Sequence, residues 1–141
     1  MKKILALVLI LLFFGISFSF AEDRTITVKA KKFSYTPNKI EVNKGDHVTI
    51  RLMSEDVTHG LFIDGYGLNT KAHPGSDGSI SFVANKTGKY AFRCSVTCGE
   101  FHPYMVGNLI VGPNHRFYFF GLIILVICIG SAAIPLLKRK S

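Results

Sequence analysis

The chain contains no Trp, no internal repeat and no Cys-x-x-Cys-His motif, and only nine of its 141 residues are acidic. Without that motif there is no attachment site for a c-type haem, because such a haem is bound through both cysteines of the motif. The short length excludes a second large domain, a coiled coil and a large multi-substrate enzyme. With Trp absent, five Tyr and twelve Phe residues supply the aromatic side chains.

Positive charge is concentrated at the two ends of the chain, which carries a net charge of +8. Five of the 17 basic residues lie outside residues 22–116, at positions 2, 3, 138, 139 and 140. The central 95 residues therefore hold 12 basic against nine acidic residues and a net charge of only +3. Because nucleic-acid binding needs a strongly basic folded face, we expect no nucleic-acid partner.

The N-terminal segment has the pattern of an export signal. Lys2 and Lys3 precede an uncharged run that ends with Ser19 and Ala21, small residues at the spacing that signal peptidases accept. Residues 1–21 are therefore predicted to be a signal peptide, with an uncleaved signal anchor as the alternative. In either case the chain that follows is exported.

A second uncharged segment, residues 117–137, predicts a transmembrane helix. At about 1.5 Å per residue a helix of this length reaches about 30 Å, enough to cross the hydrocarbon of a bilayer. Residues 138–141 form a basic tail that marks the cytoplasmic end. We therefore expect residues 22–116 to lie on the extracytoplasmic or periplasmic side of the plasma membrane of a prokaryote.

The central segment shows the alternating pattern of short β-strands and no sustained helical period. Turn residues separate the strands, as in Asn43-Lys-Gly-Asp46 and Asn85-Lys-Thr-Gly88. Seven or eight short strands in one domain predict an all-β, antiparallel Greek-key sandwich. The predicted strands cover residues 25–29, 39–43, 48–53, 60–64, 79–84, 89–94 and 108–111.

Residues with metal-binding chemistry are concentrated between the last two predicted strands. Cys94, Cys98, His102 and Met105 fall within twelve residues, and His59 lies upstream at the start of an apolar strand. Thiolate and imidazole ligands favour copper or zinc over hard cations, and a thioether favours copper, because Met contributes little to zinc sites. One Cys, two His and one Met would make a mononuclear copper site, which leaves the second Cys unexplained.

Two other interpretations remain open for the cysteines. An exported protein meets oxidising conditions, so Cys94 and Cys98 could form a disulfide. A structural zinc site of the Cys₂His₂ type is also possible, although it gives Met105 no role. The aromatic residues Phe101 and Tyr104 in the same segment either pack within the loop or form an apolar docking patch.

The motif Cys-x-x-x-Cys-x-x-x-His-x-x-Met, with a His 35 residues before its first Cys, resembles the binuclear copper (CuA) domain of cytochrome c oxidase subunit II. It is also similar to the copper domain of nitrous oxide reductase, and the resemblance covers about residues 45–112. It implies a cupredoxin-like Greek-key fold and two copper ions. The implied ligands are the bridging thiolates Cys94 and Cys98, the terminal ligands His59 and His102, and the weak ligands Met105 and the Val96 carbonyl.

The same resemblance implies an electron-transfer role for a membrane-anchored, subunit II-like component of a cytochrome c oxidase. Electrons would come from a c-type cytochrome or a small copper protein and pass to a catalytic haem–copper oxidase subunit. The oxidase subunits usually have Glu at the position of Val96, and that Glu also binds magnesium. Two alternatives are a protein that delivers copper during oxidase assembly and a free-standing CuA protein that serves another reductase.

Overall fold

The computed structural model describes residues 21–138, so nearly all of the predicted signal segment, and the tail after Lys138, lie outside the described residues. The described part contains nine strands and one α-helix. In chain order these are β1 (Asp23–Lys31), β2 (Ser34–Thr36), β3 (Lys39–Asn43), β4 (His47–Ser54), β5 (His59–Ile63), β6 (Leu68–Ala72), β7 (Gly78–Val83), β8 (Gly88–Arg93), β9 (Val106–Gly112) and α1 (His115–Lys138). A short 3₁₀ turn, His102–Tyr104, lies between β8 and β9.

The strands form two sheets. One sheet has four strands in the order β2-β1-β4-β7, and the other has five in the order β3-β9-β8-β5-β6. Alternate residues of the strands point into the core between the sheets, as the period of two in the sequence predicts. The all-β sandwich predicted from the sequence is thus confirmed.

The prediction of a purely antiparallel sandwich is wrong. Strand β1 pairs in parallel with β4 over eight residue pairs, from Asp23↔His47 to Ala30↔Ser54. Strand β3 also pairs in parallel with β9. Period-two alternation reports which face of a strand is buried and contains no information on the direction of its neighbour, so the sequence pattern could not reveal these pairings.

The core lies between the two sheets and is built from the inward residues of the predicted strands. The buried side chains are mainly β-branched and aliphatic, with Phe92 the largest that is fully enclosed; they include Val28, Val48, Ile50, Leu52, Leu61, Ile63, Leu109 and Val111. At one end of the core, the buried side chains carry sulfur or imidazole in place of hydrocarbon. These are Cys94, Cys98, Met105 and His59. The metal-binding residue types therefore sit at the end of a continuous, rigid core.

Helix α1 covers the segment for which the sequence predicts a transmembrane helix. Within the part of the chain that the structure describes, no helix is long and apolar enough to span a membrane. The membrane anchor therefore stays a prediction. Residues 21–113 form a compact unit separate from the helix.

Candidate metal centre

The loop between β8 and β9, residues 94–105, is called here the site loop, and the ends of its two flanking strands hold it in place. Strand β8 pairs antiparallel with β9 as far as Arg93↔Val106. Directly beyond this pair, the Cys94 N–H donates a hydrogen bond of 3.2 Å to the carbonyl of Met105. The first and last residues of the site loop thus face each other across the end of a ladder, and the intervening residues must close a compact loop.

The donor atoms of the site loop converge on Cys98. Its Sγ lies 3.7 Å from Cys94 Sγ, 3.7 Å from His102 Nδ1 and 3.8 Å from Met105 Sδ. Cys94 Sγ also lies 3.1 Å from the carbonyl oxygen of Val96. Met105 is fully buried, and both cysteines are buried free thiols. The loop therefore gathers two thiols, an imidazole, a thioether and a carbonyl in one place.

His59, the first residue of β5, completes the cluster from the strand beside β8 in the same sheet. Ligand atoms of His59, Cys94 and Cys98 all lie within 4.8 Å of one another. His59 is fully buried, and its Nε2–H donates to Asp56 Oδ1 at 2.7 Å. Its Nδ1 is buried with no hydrogen-bond partner in the described part of the chain. Because an unpaired buried nitrogen is costly, this free lone pair beside two thiols is the feature that a bound metal ion would satisfy.

Asp56 fixes the orientation of His59. Besides the imidazole, its carboxylate accepts the Lys32 N–H at 2.8 Å and the Val57 N–H at 2.7 Å. Burial raises the pKa of this carboxyl, but the hydrogen bonds from Lys32, His59 and Val57 outweigh that effect and lower the pKa to about 2. The carboxylate is therefore charged at neutral pH and holds the proton of His59 on Nε2, which leaves Nδ1 as the ligand atom.

The Cys98 thiol is protonated when no cation is present. Burial, together with the hydrogen bond and charge of neighbouring Cys94, raises the pKa of Cys98 to about 11. Two thiolates at this distance repel each other in a buried site. A bound cation reverses that balance, so metal binding at neutral pH releases the Cys98 proton.

All six residues that the sequence selected as ligands lie together at this centre. His59, Cys94, Cys98, His102 and Met105 contribute side chains, and Val96 contributes its carbonyl. The donor set is dominated by sulfur and imidazole, the chemistry that suits copper, and the thioether favours copper over zinc. The residues present therefore fit copper.

Sequence reasoning did not single out two residues that support the centre, Asp56 and Tyr35. Asp56 lies three residues before His59, a spacing that places a carboxylate within reach of the imidazole across a tight turn. Tyr35 lies in the three-residue strand β2 on the other sheet, and no local pattern links it to the site loop. Asp56 could have been found from its spacing, whereas Tyr35 required the fold.

Three aromatic side chains cover the outside of the site loop. The rings of Phe33 and Phe101 meet edge to face at 5.3 Å, and Phe101 and Tyr104 lie 6.4 Å apart. Gly99 lies beneath Phe33, and a Cβ atom there would approach the ring to 2.7 Å, so this close packing requires glycine. Phe101 is 55% and Tyr104 78% exposed, so these rings pack on the loop and also present an apolar surface to solvent.

Comparison with known proteins gives a consistent result. The family model described as a cupredoxin-like domain matches residues 3–111. A cytochrome c oxidase subunit 2 from Thermus thermophilus is 33% identical over 87 residues, which cover 62% of this chain and 64% of that protein. A nitrous-oxide reductase from Stutzerimonas stutzeri is 37% identical over 76 residues, 51% of this chain and 12% of the enzyme. The matched segment thus spans less than two thirds of these curated relatives.

Solved structures agree on the fold. A chain from a heme-copper terminal oxidase dimer matches with a TM-score of 0.58 and 27% identity, covering 78% of this chain and 96% of that chain. The periplasmic domain of cytochrome oxidase subunit II from Bradyrhizobium japonicum matches with a TM-score of 0.59 and 20% identity, covering 68% and 88% of the two chains. Auracyanin A, a blue copper protein from Chloroflexus aurantiacus, matches with a TM-score of 0.55 and 18% identity over 64% and 99%.

Proposed function

Because the chain belongs to the cupredoxin-like domain family, we propose that its sandwich is a binuclear copper electron-transfer domain. The observation that carries the proposal is the convergence of five donor side chains and one carbonyl at the end of the core. A second Cys beside the first distinguishes this cluster from a site with one Cys, two His and one Met, and its Sγ lies 3.7 Å from the other thiol. Two neighbouring thiols provide the bridges that a binuclear site needs.

In this proposal Cys94 and Cys98 would hold two copper ions between them. His59 and His102 would each bind one of the ions, and Met105 and the Val96 carbonyl would be weak ligands. Copper held in this way would supply a one-electron couple.

The protein's own residues keep the ligands in place and water out. Cys94, Cys98, Met105 and His59 are buried, which limits exchange of the metal with solvent. The Cys94–Met105 backbone hydrogen bond closes the site loop, and Asp56 holds His59 in one tautomer. A preorganised, enclosed donor set favours a resident redox centre over a site that releases copper to another protein.

We place the domain outside the plasma membrane of a prokaryote, anchored by residues 117–137, with residues 1–21 as its export signal. In this setting the protein is a subunit II-like component of a cytochrome c oxidase. It receives electrons from a c-type cytochrome or a small copper protein and passes them to a catalytic haem–copper oxidase subunit. The proposal is supported by the similarity to subunit 2 of such an oxidase and by the uncharged C-terminal segment with its basic tail.

Electron paramagnetic resonance of the copper-loaded full chain, with copper quantified in the same sample, tests the proposal. We expect two copper ions per chain and hyperfine structure from one electron shared over two nuclei. Cys98→Ser should reduce the content to one copper ion with a single-nucleus pattern, because only one thiolate remains. Cys128→Ser, a change in α1, is the matched control and should retain the wild-type spectrum.

A single-nucleus pattern in the wild-type chain would contradict the binuclear proposal. If that copper also passed to a modest chelator within minutes, copper delivery would become the better explanation. Retention of two copper ions by Cys98→Ser would contradict the bridging role of this residue.

A further inference from the structure

Tyr35 is a buried phenol at the metal centre that none of the proposed ligand roles uses. It is 2% exposed and lies in β2 of the four-stranded sheet. Its ring meets Phe92 edge to face at 5.2 Å, which fixes the ring within the core. A hydroxyl in such a place needs a hydrogen-bond partner, because an unpaired polar group in the core is costly. The partner is the carbonyl oxygen of Gly60 on β5, at 2.6 Å.

Gly60 connects this phenol to the thiols. It follows His59, and its N–H donates a hydrogen bond of 3.4 Å to Cys94 Sγ. A Cβ atom at position 60 would clash with Ser95, whose backbone N would lie 2.9 Å away, so glycine permits β5 to lie against the start of the site loop. Gly60 is thus held on one side by Tyr35 and donates to a sulfur atom on the other.

The Tyr35 hydroxyl donates to a main-chain carbonyl, and burial raises the pKa of the phenol above its ordinary value. Its hydrogen bond to the Gly60 carbonyl is a fixed link across the sandwich, from one sheet to the strand that begins with His59.

We propose that Tyr35 is a positioning residue of the metal centre, which anchors Gly60 so that its N–H stays directed at Cys94 Sγ and raises the reduction potential of the bound copper. This inference rests on the proposed function. A hydrogen bond to a coordinating sulfur withdraws electron density from it and weakens its donation to the metal, which favours the reduced state. Hydrogen bonding around the Cys sulfur is one of the factors that set the potential of copper sites.

The test compares Tyr35→Phe with Tyr90→Phe in the copper-loaded full chain. Tyr90 is a matched control, since its hydroxyl also donates to backbone carbonyls, those of Lys86 and Thr87, and these lie outside the metal centre. We expect Tyr35→Phe to retain its copper and to shift the equilibrium with a reference redox couple about fivefold towards the oxidised form, the effect of weakening one hydrogen bond. The sulfur-to-copper charge-transfer bands should shift as well. Tyr90→Phe should change neither property.

Two further measurements make the result decisive. In the metal-free chain, the Gly60 amide proton should exchange faster with solvent in Tyr35→Phe than in the wild type or in Tyr90→Phe. If Tyr35→Phe fails to fold, 3-fluorotyrosine at position 35 preserves the packing and donates more strongly, so the redox equilibrium should move in the opposite direction, towards the reduced form.

Loss of stability in Tyr35→Phe with an unchanged redox equilibrium and unchanged charge-transfer bands would overturn the proposal and leave Tyr35 a structural residue. An unchanged equilibrium with 3-fluorotyrosine would overturn it as well. Failure of the proposed function would be recognised separately, because the wild-type chain would then lack the two-copper spectrum, whereas the Gly60 exchange measurement needs no copper.

Discussion

Replacement of Asp56 by Asn perturbs the residue that orients His59 with almost no change in size. The carboxylate accepts three hydrogen bonds, from His59 and Val57 on Oδ1 and from Lys32 on Oδ2. An amide has only one oxygen, so its NH₂ group must face either the Lys32 N–H or the pair of donors on the other side. The substitution therefore removes the charge and places donor against donor at one of these contacts.

Two arguments give the size of the expected loss of unfolding free energy in Asp56→Asn. Loss of one charge-assisted hydrogen bond near a fully buried imidazole costs about 1–3 kcal/mol of unfolding free energy. Independently, lowering of the Asp56 pKa from 3.8 to about 2 corresponds to about 2 kcal/mol. Because the carboxylate is partly exposed, solvent screening reduces this second figure to about 1 kcal/mol. We therefore expect Asp56→Asn to destabilise the metal-free chain by about 1–2 kcal/mol at pH 7.

The sign of the pH dependence follows from the direction of the shift. A carboxyl whose pKa is lower in the folded state contributes its stability above the unfolded pKa and loses it as the pH falls through the folded pKa. The wild-type chain should therefore lose this contribution between about pH 4 and pH 2. Asp56→Asn should lack that part of the acid dependence.

Urea unfolding of the metal-free chain at several pH values measures both effects, and competition with a copper chelator measures affinity. Copper affinity should fall about tenfold to a hundredfold, the usual effect of removing the partner of a metal-binding His. Glu55→Gln is the matched control, since the Glu55 side chain makes an exposed ion pair with Lys29 at 3.3 Å, away from the His59 imidazole. If the two variants behave alike in stability, acid dependence and copper affinity, Asp56 does not orient His59.

Two further predictions concern the sulfur ligands. Met105→Leu should retain both copper ions but shift the reduction potential measured by spectroelectrochemistry, because a weak ligand tunes the metal more than it holds it; complete loss of copper would show that Met105 is a main ligand. In the metal-free chain, Cys94 and Cys98 are close enough for an oxidant such as diamide to join them after a small movement of the site loop. Oxidised chain should take up no copper until dithiothreitol restores both thiols, and undiminished uptake by the oxidised chain would contradict their role as ligands.

The candidate ligands could be read from the sequence because most of them belong to one short segment. Spacing within a loop constrains which residues can meet, and unusual residue types such as Cys, His and Met make the pattern specific. The main strands were found for a related reason, since burial of one face produces alternation. Strands β2 (Ser34–Thr36) and β6 (Leu68–Ala72) were missed, because the first has three residues and the second has polar residues at three of its five positions and fully buries only Ala72.

The parallel pairing that the sequence could not reveal is what supports His59. Strands β1 and β4 run in the same direction, so their C-terminal ends lie side by side, at the end of the sandwich where the metal centre lies. The turn after β1 therefore lies beside the loop after β4, and Glu55 N–H donates to the Ala30 carbonyl at 3.0 Å. Two residues after Ala30, the Lys32 N–H donates to the carboxylate of Asp56, the residue after Glu55, and this carboxylate in turn accepts from His59.

An antiparallel pair would place these two connections at opposite ends of the sheet. The Asp56 carboxylate would then lose the backbone donor that keeps one oxygen occupied, and Phe33, which follows Lys32, would not lie over the site loop. Spacing within the site loop thus determines which residues can be ligands, whereas the parallel direction of β1 and β4 brings together the residues that orient His59. For this reason we expect substitutions at the end of β1 to change the metal centre although none of its residues is a ligand.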